Sequence, residues 1–156
     1  MTDDRTVATP SLVFERYTPP RFRTPHTTFL HCSASDNPLH DDVTVIRSWH
    51  LLNGWKDVGY HFYIKKNGNI QVGRSVELTP AAQVGFNTGT LAICLGGLNT
   101  FSEEQFITLR TLCKQINAAH RQMRFRGHKE VDKTRLCPVY DYKTVLNLDE
   151  NGYIKA

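Results

Sequence analysis

Three residues could do chemistry together: His31, His128 and Cys137. His128 stands nine residues before Cys137, which is followed at once by Pro138, and His31 lies almost a hundred residues earlier. Neutral imidazoles and a thiolate are good ligands for Zn2+. A structural zinc site is usually closed by four protein ligands, whereas a catalytic site keeps three and leaves the fourth position to water or substrate. Three candidates drawn from distant parts of the chain fit the open kind. The plainer alternative is that His31 is a strand-end residue bonded to backbone and His128 a surface residue. Seven histidines are present, so spacing alone leaves both readings standing. His26, His40, His50, His61 and His120 are not expected as ligands. His50 and His120 fall on helices, and His61, alternating with Tyr60, is expected to face the other side of the sheet. Cys94 and Cys113 lie in apolar runs and read as small buried hydrophobes. With Cys32 and Cys137 they form no disulfide framework.

Several elements must carry these residues. TTFLHCSAS (27–35) is a β-branched and apolar run with His31 near its C-terminal end, which predicts a strand. Asp41 or Asp42 is a fitting N-cap for a helix over 43–54, with Val45, Ile46, Trp49 and Leu52 at helical spacing and Asn53-Gly54 as its stop. Two alternating runs within 58–74 flank Asn67-Gly68, a strong hairpin signal. TLAICLGGL (90–98) is almost continuously apolar, as expected of a central strand buried on both faces. Ser102 followed by Glu103, Glu104 and Gln105 opens a helix that buries Phe106, Leu109, Leu112, Cys113, Ile116 and Ala119. A short extended segment then leads to His128. The expected fold class is α/β: one domain with a central mixed β-sheet flanked by helices. The prolines at 10, 19, 20 and 25 make residues 1–26 an extended arm, with a short strand around Leu12–Phe14. The tail after Asp141 is expected to be only partly ordered.

Composition narrows the function. With 156 residues, 40% hydrophobic and 22% charged, the chain suits one globular domain with a real core. No run is long and apolar enough to cross a bilayer, and the N-terminus lacks the pattern of a secretory signal. The protein is therefore expected to be made in a cytoplasm and to reach any outside target by release or delivery. A net charge of +4 favours acidic surfaces in general, and no block of basic residues marks a nucleic-acid stripe.

Four stretches in order, HCSAS (31–35), IRSWHLLNGWKDVGYHFYIKKNGNIQVGR (46–74), GFNTGTLAICLGG (85–97) and GHKEVDKTRLCPVYD (127–141), resemble the type-2 N-acetylmuramoyl-L-alanine amidases, especially those of phages. The resemblance covers about residues 28–142 (from the order of motifs) and implies a fold shared with peptidoglycan recognition proteins. It divides the chain into the arm 1–26, an amidase domain 27–142 and a tail 143–156. It implies hydrolysis of the amide between N-acetylmuramic acid and L-alanine in peptidoglycan, with Zn2+ held by His31, His128 and Cys137. Tyr60 matches the family's catalytic tyrosine. Arg135 stands where phage members have a catalytic lysine; the segment is one residue longer here, so Lys133 is a second candidate for that cation. Where phage members have a substrate-holding histidine this chain has Ala82, which leaves Gln83, Phe86 and Asn87 as the expected substrate contacts. A phage relative also inhibits its own RNA polymerase, so a polymerase is a further partner implied by resemblance alone. A monomer is expected, acting as an endolysin or an injected effector; the same fold also serves as a non-catalytic peptidoglycan-binding module.

Overall fold

The computed structural model describes residues 14–155. Five strands form one sheet in the order β3-β2-β4-β1-β5. They are β1 (Thr27–Cys32), β2 (Phe62–Ile64), β3 (Ile70–Val72), β4 (Thr90–Leu95) and β5 (Arg124–Gly127). β1 runs parallel to β4 and to β5, and β2 runs parallel to β4; β3 alone is antiparallel, at the edge beside β2. This is the mixed sheet the sequence predicts. β4 sits in the middle of it and is buried along its whole length. The hairpin forms at Asn67-Gly68, where Gly68 takes a positive φ of 90° that a side chain would strain. Its strands are only three residues each, shorter than the alternating runs.

Helix α1 (Val43–Leu52) is capped by Asp42, whose side chain accepts the Thr44 N–H at 2.9 Å. Asp41, the other candidate cap, instead accepts the Tyr63 hydroxyl at 2.8 Å and the Lys66 N–H at 3.0 Å, fastening the helix entry to β2. Helix α2 (Glu103–Ala119) opens with a reciprocal capping box between Ser102 and Gln105. Gln105 goes further: its buried amide donates to Ile64 O and Gly96 O, so the same residue caps the helix and docks it on the sheet. Leu109, Leu112, Cys113 and Ile116 are buried as expected; Phe106 is only partly buried, and Ala119 is exposed at the margin of a buried stripe that continues to His120.

Two expectations about the ends change. The tail is packed, not loose. Asp141 caps a short helix α3 (Tyr142–Val145), Tyr142, Leu146 and Leu148 enter the main core, and Phe125 N–H donates to Gly152 O at 2.8 Å. Aromatic and aliphatic burial overrides the polar look of this segment. At the other end, the strand predicted at Leu12–Phe14 falls largely outside the described residues. Tyr17 ties the arm down just beyond it: the side chain is buried, its N–H donates to Gln115 Oε1 at 2.7 Å and its hydroxyl meets His120 Nε2 at 2.6 Å. No helix among the described residues is long and apolar enough to cross a membrane.

Candidate active site

The sheet register brings the candidate residues together. Leu30 of β1 pairs with Gly127 of β5, so the residues that follow, His31 on β1 and His128 just past the end of β5, emerge side by side at the carboxyl edge. Their rings lie 4.7 Å apart, centroid to centroid. His31 is buried, and His128 is partly so at the start of the short 3-10 turn His128–Glu130. That turn is clamped by Glu130, whose carboxylate accepts the Gly127 N–H at 2.9 Å, the Arg126 Nε–H at 3.2 Å and the Tyr142 hydroxyl.

Cys137 arrives on a loop that returns to the same edge. Lys129 N–H donates to Cys137 O at 2.7 Å, and Tyr140 hydroxyl donates to His31 O at 3.2 Å. Gly127 makes the approach feasible: a Cβ there would stand 2.7 Å from Pro138 Cδ and from the Tyr142 ring. The Cys137 sulfur rests against the Cys32 sulfur, 2.6 Å away, and 3.5 Å from Cys32 O. All four cysteines are free.

Electrostatics put the three groups in ligand-like states. Burial, with His128 adding to it, pushes His31 down to about 3, and burial likewise lowers His128, helped by Arg135. Both imidazoles are therefore neutral near pH 7. The contact with the Cys32 sulfur pulls Cys137 below the usual thiol range, with help from Arg135 and against the opposing effect of burial. Cys32, its partner, is pushed up by the same contact and by burial.

Tyr60 completes the cluster, its ring 5.0 Å from that of His31. Burial holds its phenol well above the usual range, so it remains a hydrogen-bond donor. A residue that sequence reasoning sets aside supports it. His50, on α1, accepts the Gly59 N–H on Nδ1 at 2.9 Å and packs its ring 5.5 Å from that of Tyr60. Its position on a helix gives no hint of this. Glu130, also missed, has a legible signal: Gly-His-Lys-Glu carries an acidic residue three positions after a cap.

The remaining candidates separate. Arg135 is exposed and pairs with Asp132 at 3.5 Å, yet its charge is felt at both His128 and Cys137. Lys133 is exposed and makes no ion pair among the described residues. Phe86 is 45% exposed and free to meet a ligand. Of the other expected substrate contacts, Gln83 is buried away from solvent, with its amide bonded to His31, Phe86 and Thr90. Half-buried Asn87 bonds within the loop through its Oδ1, which accepts the N–H groups of Ala82 and Gln83. The loop needs these polar groups for its own backbone, so they shape the site from beneath. His61 is spent likewise, accepting Ala92 N–H and donating to Leu78 O.

A strand-end histidine pair, a cysteine on the adjoining loop and a protonated tyrosine at one sheet edge fit an amide-cleaving centre, and likeness to known proteins agrees. Residues 16–140 match the family N-acetylmuramoyl-L-alanine amidase. The chain belongs to that family. Its activity is accordingly that of an N-acetylmuramoyl-L-alanine amidase. It is 35% identical over 123 residues to the endolysin of Escherichia phage T7, covering 74% of this chain and 81% of that protein. Among solved structures it is similar to the endolysin amidase LysCS of Clostridium intestinale (TM-score 0.73, 22% identity, 87% and 91% of the two chains). It is also similar to PGRP-SA of Apis mellifera (TM-score 0.67, 25% identity, 81% and 84%). The fold is thus that of type-2 amidases and peptidoglycan recognition proteins.

As they stand, no three His, Cys, Asp or Glu side chains among the described residues are grouped closely enough to hold a metal ion. The Cys137 sulfur is turned onto Cys32. The donor chemistry nevertheless fits zinc: two neutral imidazoles lie side by side, and a thiol lies beside the strand that carries one of them.

Proposed function

We propose that this amidase is a zinc-dependent phage endolysin that cleaves the bond between the lactyl group of N-acetylmuramic acid and L-alanine in peptidoglycan. The observation that carries the reading is the meeting of the His31 and His128 rings at 4.7 Å, at the edge where Cys137 returns. His31, His128 and Cys137 would hold the metal. Zinc bound there supplies a Lewis acid that polarises a carbonyl and acidifies water near neutral pH.

The rest falls to the chain. The amide carbonyl gains negative charge as it is attacked, and a donor already in place stabilises that charge without reorganising. Tyr60, kept protonated by its surroundings, provides such a donor. Arg135 adds positive charge at the mouth of the site, where a guanidinium stabilises an anion by charge and hydrogen bonds. Exposed Phe86 offers an apolar face to the substrate. The endolysin relatives and the family match support peptidoglycan as substrate.

The test is mass spectrometry of purified peptidoglycan after incubation with the protein, with and without a zinc chelator. Free stem peptides and peptide-free glycan, lost on chelation and restored by zinc, are expected. Cleavage that persists after complete metal removal would overturn the zinc assignment. Intact muropeptides in every sample would overturn the substrate.

A further inference from the structure

Beneath His31, the amide of Gln83 has every polar position committed. Its Oε1 lies 2.8 Å from His31 Nε2, and its nitrogen lies 3.3 Å from Phe86 O and 3.0 Å from Thr90 Oγ1. A carbonyl oxygen can only accept. The single Thr90 hydroxyl proton goes to Asn87 O at 2.8 Å, so toward Gln83 Thr90 also accepts. Both contacts therefore require the NH2 end of the amide. Flipping it would set an oxygen against two acceptors in a place where Gln83 is fully buried and water cannot compensate. The orientation is thus determined by its neighbours, and Oε1 faces His31. Since Oε1 cannot donate, His31 must carry its proton on Nε2. Nδ1 then has the free lone pair.

The loop is built to hold this arrangement. Asn87 Oδ1 receives the N–H groups of Ala82 and Gln83, which closes the turn that presents the amide. Thr90 opens β4, adjacent in register to Thr27 of β1, the strand that carries the histidine.

We propose that Gln83 is a positioning residue that holds His31 as the Nε2–H tautomer, with its Nδ1 lone pair available to zinc. This rests on the zinc reading of the site. Outer partners of this kind fix the ring and tautomer of a ligand histidine, and losing one typically weakens metal binding about 10–100-fold.

The test uses the full-length protein, 15N-labelled and freed of metal, with long-range proton–nitrogen correlations of the imidazoles. The His31 signals are assigned by their loss in His31→Ala. Wild type should show His31 protonated on Nε2 alone. Gln83→Met, similar in volume, should give a mixture of tautomers and bind zinc about 10–100-fold more weakly in a chelator competition. Signals of His40, His61 and His120, which do not touch His31, should stay in place, which separates this from general unfolding. Thr90→Val, which removes one acceptor that orients the amide, should move both readouts the same way by a smaller factor, and it serves should Gln83→Met fail to fold. A wild-type His31 carrying its proton on Nδ1 would overturn the proposal, as would wild-type zinc affinity in folded variants. A wild type with the Nε2–H tautomer but no affinity for zinc would instead overturn the zinc reading, and with it the metal half of this proposal.

Discussion

The two faces of the sheet are built on different terms. On one, Leu30, Phe62, Ile64, Leu91, Ile93 and Leu95 meet Leu109, Leu112, Cys113 and Ile116 of α2 in a large apolar core. Its stability comes from burial, and its buried polar docking group, Gln105, has its amide fully used. On the other face the apolar cluster is small: Val43, Ile46, Val58, Tyr63 and Cys94, with Trp49 and Tyr60 at its margin. Beside it stand His31, His128, Tyr60 and Gln83, joined by hydrogen bonds and ring contacts. Alternation along β2 and β4 separates the two: Phe62 and Ile64 face one way and Tyr63 the other, Leu91, Ile93 and Leu95 one way and Cys94 the other. One face therefore holds the fold while the other is free to spend its polar groups on chemistry.

Substitutions should tell the faces apart. Cys137→Ser is expected to have the largest effect on activity. A hydroxyl is a poor zinc ligand beside a thiolate, so zinc content and hydrolysis should fall by more than the roughly 100-fold upper range of an outer partner. Because Cys137 also packs against the main core through Cys32, the metal-free protein should lose some stability, but less than a core leucine truncation costs. Undiminished zinc content would remove Cys137 from the site.

Leu112→Ala on the opposite face should do the reverse. The side chain is buried in the main core, and truncation there costs about 2–5 kcal/mol through lost burial and a cavity. Denaturant unfolding should register that loss, while turnover and zinc content per folded molecule stay as in wild type. A drop in turnover at full folding would mean that the apolar face tunes the site, and the contrast would fail. Tyr60→Phe belongs to the polar face and comes next, with a turnover lower by roughly 10- to 10³-fold, the range for a positioned hydrogen-bonding group. Stability and zinc content should hold. An unchanged rate would make Tyr60 a packing residue between His31 and His50.

This asymmetry also explains what can be read from the sequence. The apolar face announces itself through periodicity: the continuous run of β4, the stripe of α2, the capping box at Ser102. His31 and His128 stand out because imidazoles have few other uses at strand ends, and parallel register then accounts for their meeting; Cys137 stands out by its place in a loop before a proline, and register says nothing of where its sulfur goes. The supporting polar groups are not legible. Gln83 reads as a substrate contact because its position in a loop says nothing of burial, and only the packed loop shows its amide turned inward to His31. His50 reads as an ordinary helix residue, although its acceptor nitrogen fixes the turn before Tyr60. The tail misleads for the opposite reason: Tyr142, Leu146 and Leu148 are too sparse to form a pattern, yet each finds a place in the core.

The smallest expected effect concerns the cation at the mouth of the site. Family resemblance leaves Arg135 and Lys133 as alternatives, and the structure distinguishes them by reach. Arg135 bears on both His128 and Cys137, whereas Lys133 is exposed and makes no ion pair among the described residues. The Arg135 side chain is 62% exposed and shares its charge with Asp132, so solvent and the carboxylate both weaken its field. Arg135→Ala should therefore lower turnover by only about 10-fold, with the loss reduced at high salt where the wild-type field is already screened. Lys133→Ala should stay within about twofold of wild type, as an exposed substitution away from the reacting groups does. Should Lys133→Ala cost the larger factor, the longer segment between His128 and Cys137 must bring that lysine inward when substrate binds, and the stabilising charge would belong to a residue that could also deliver a proton.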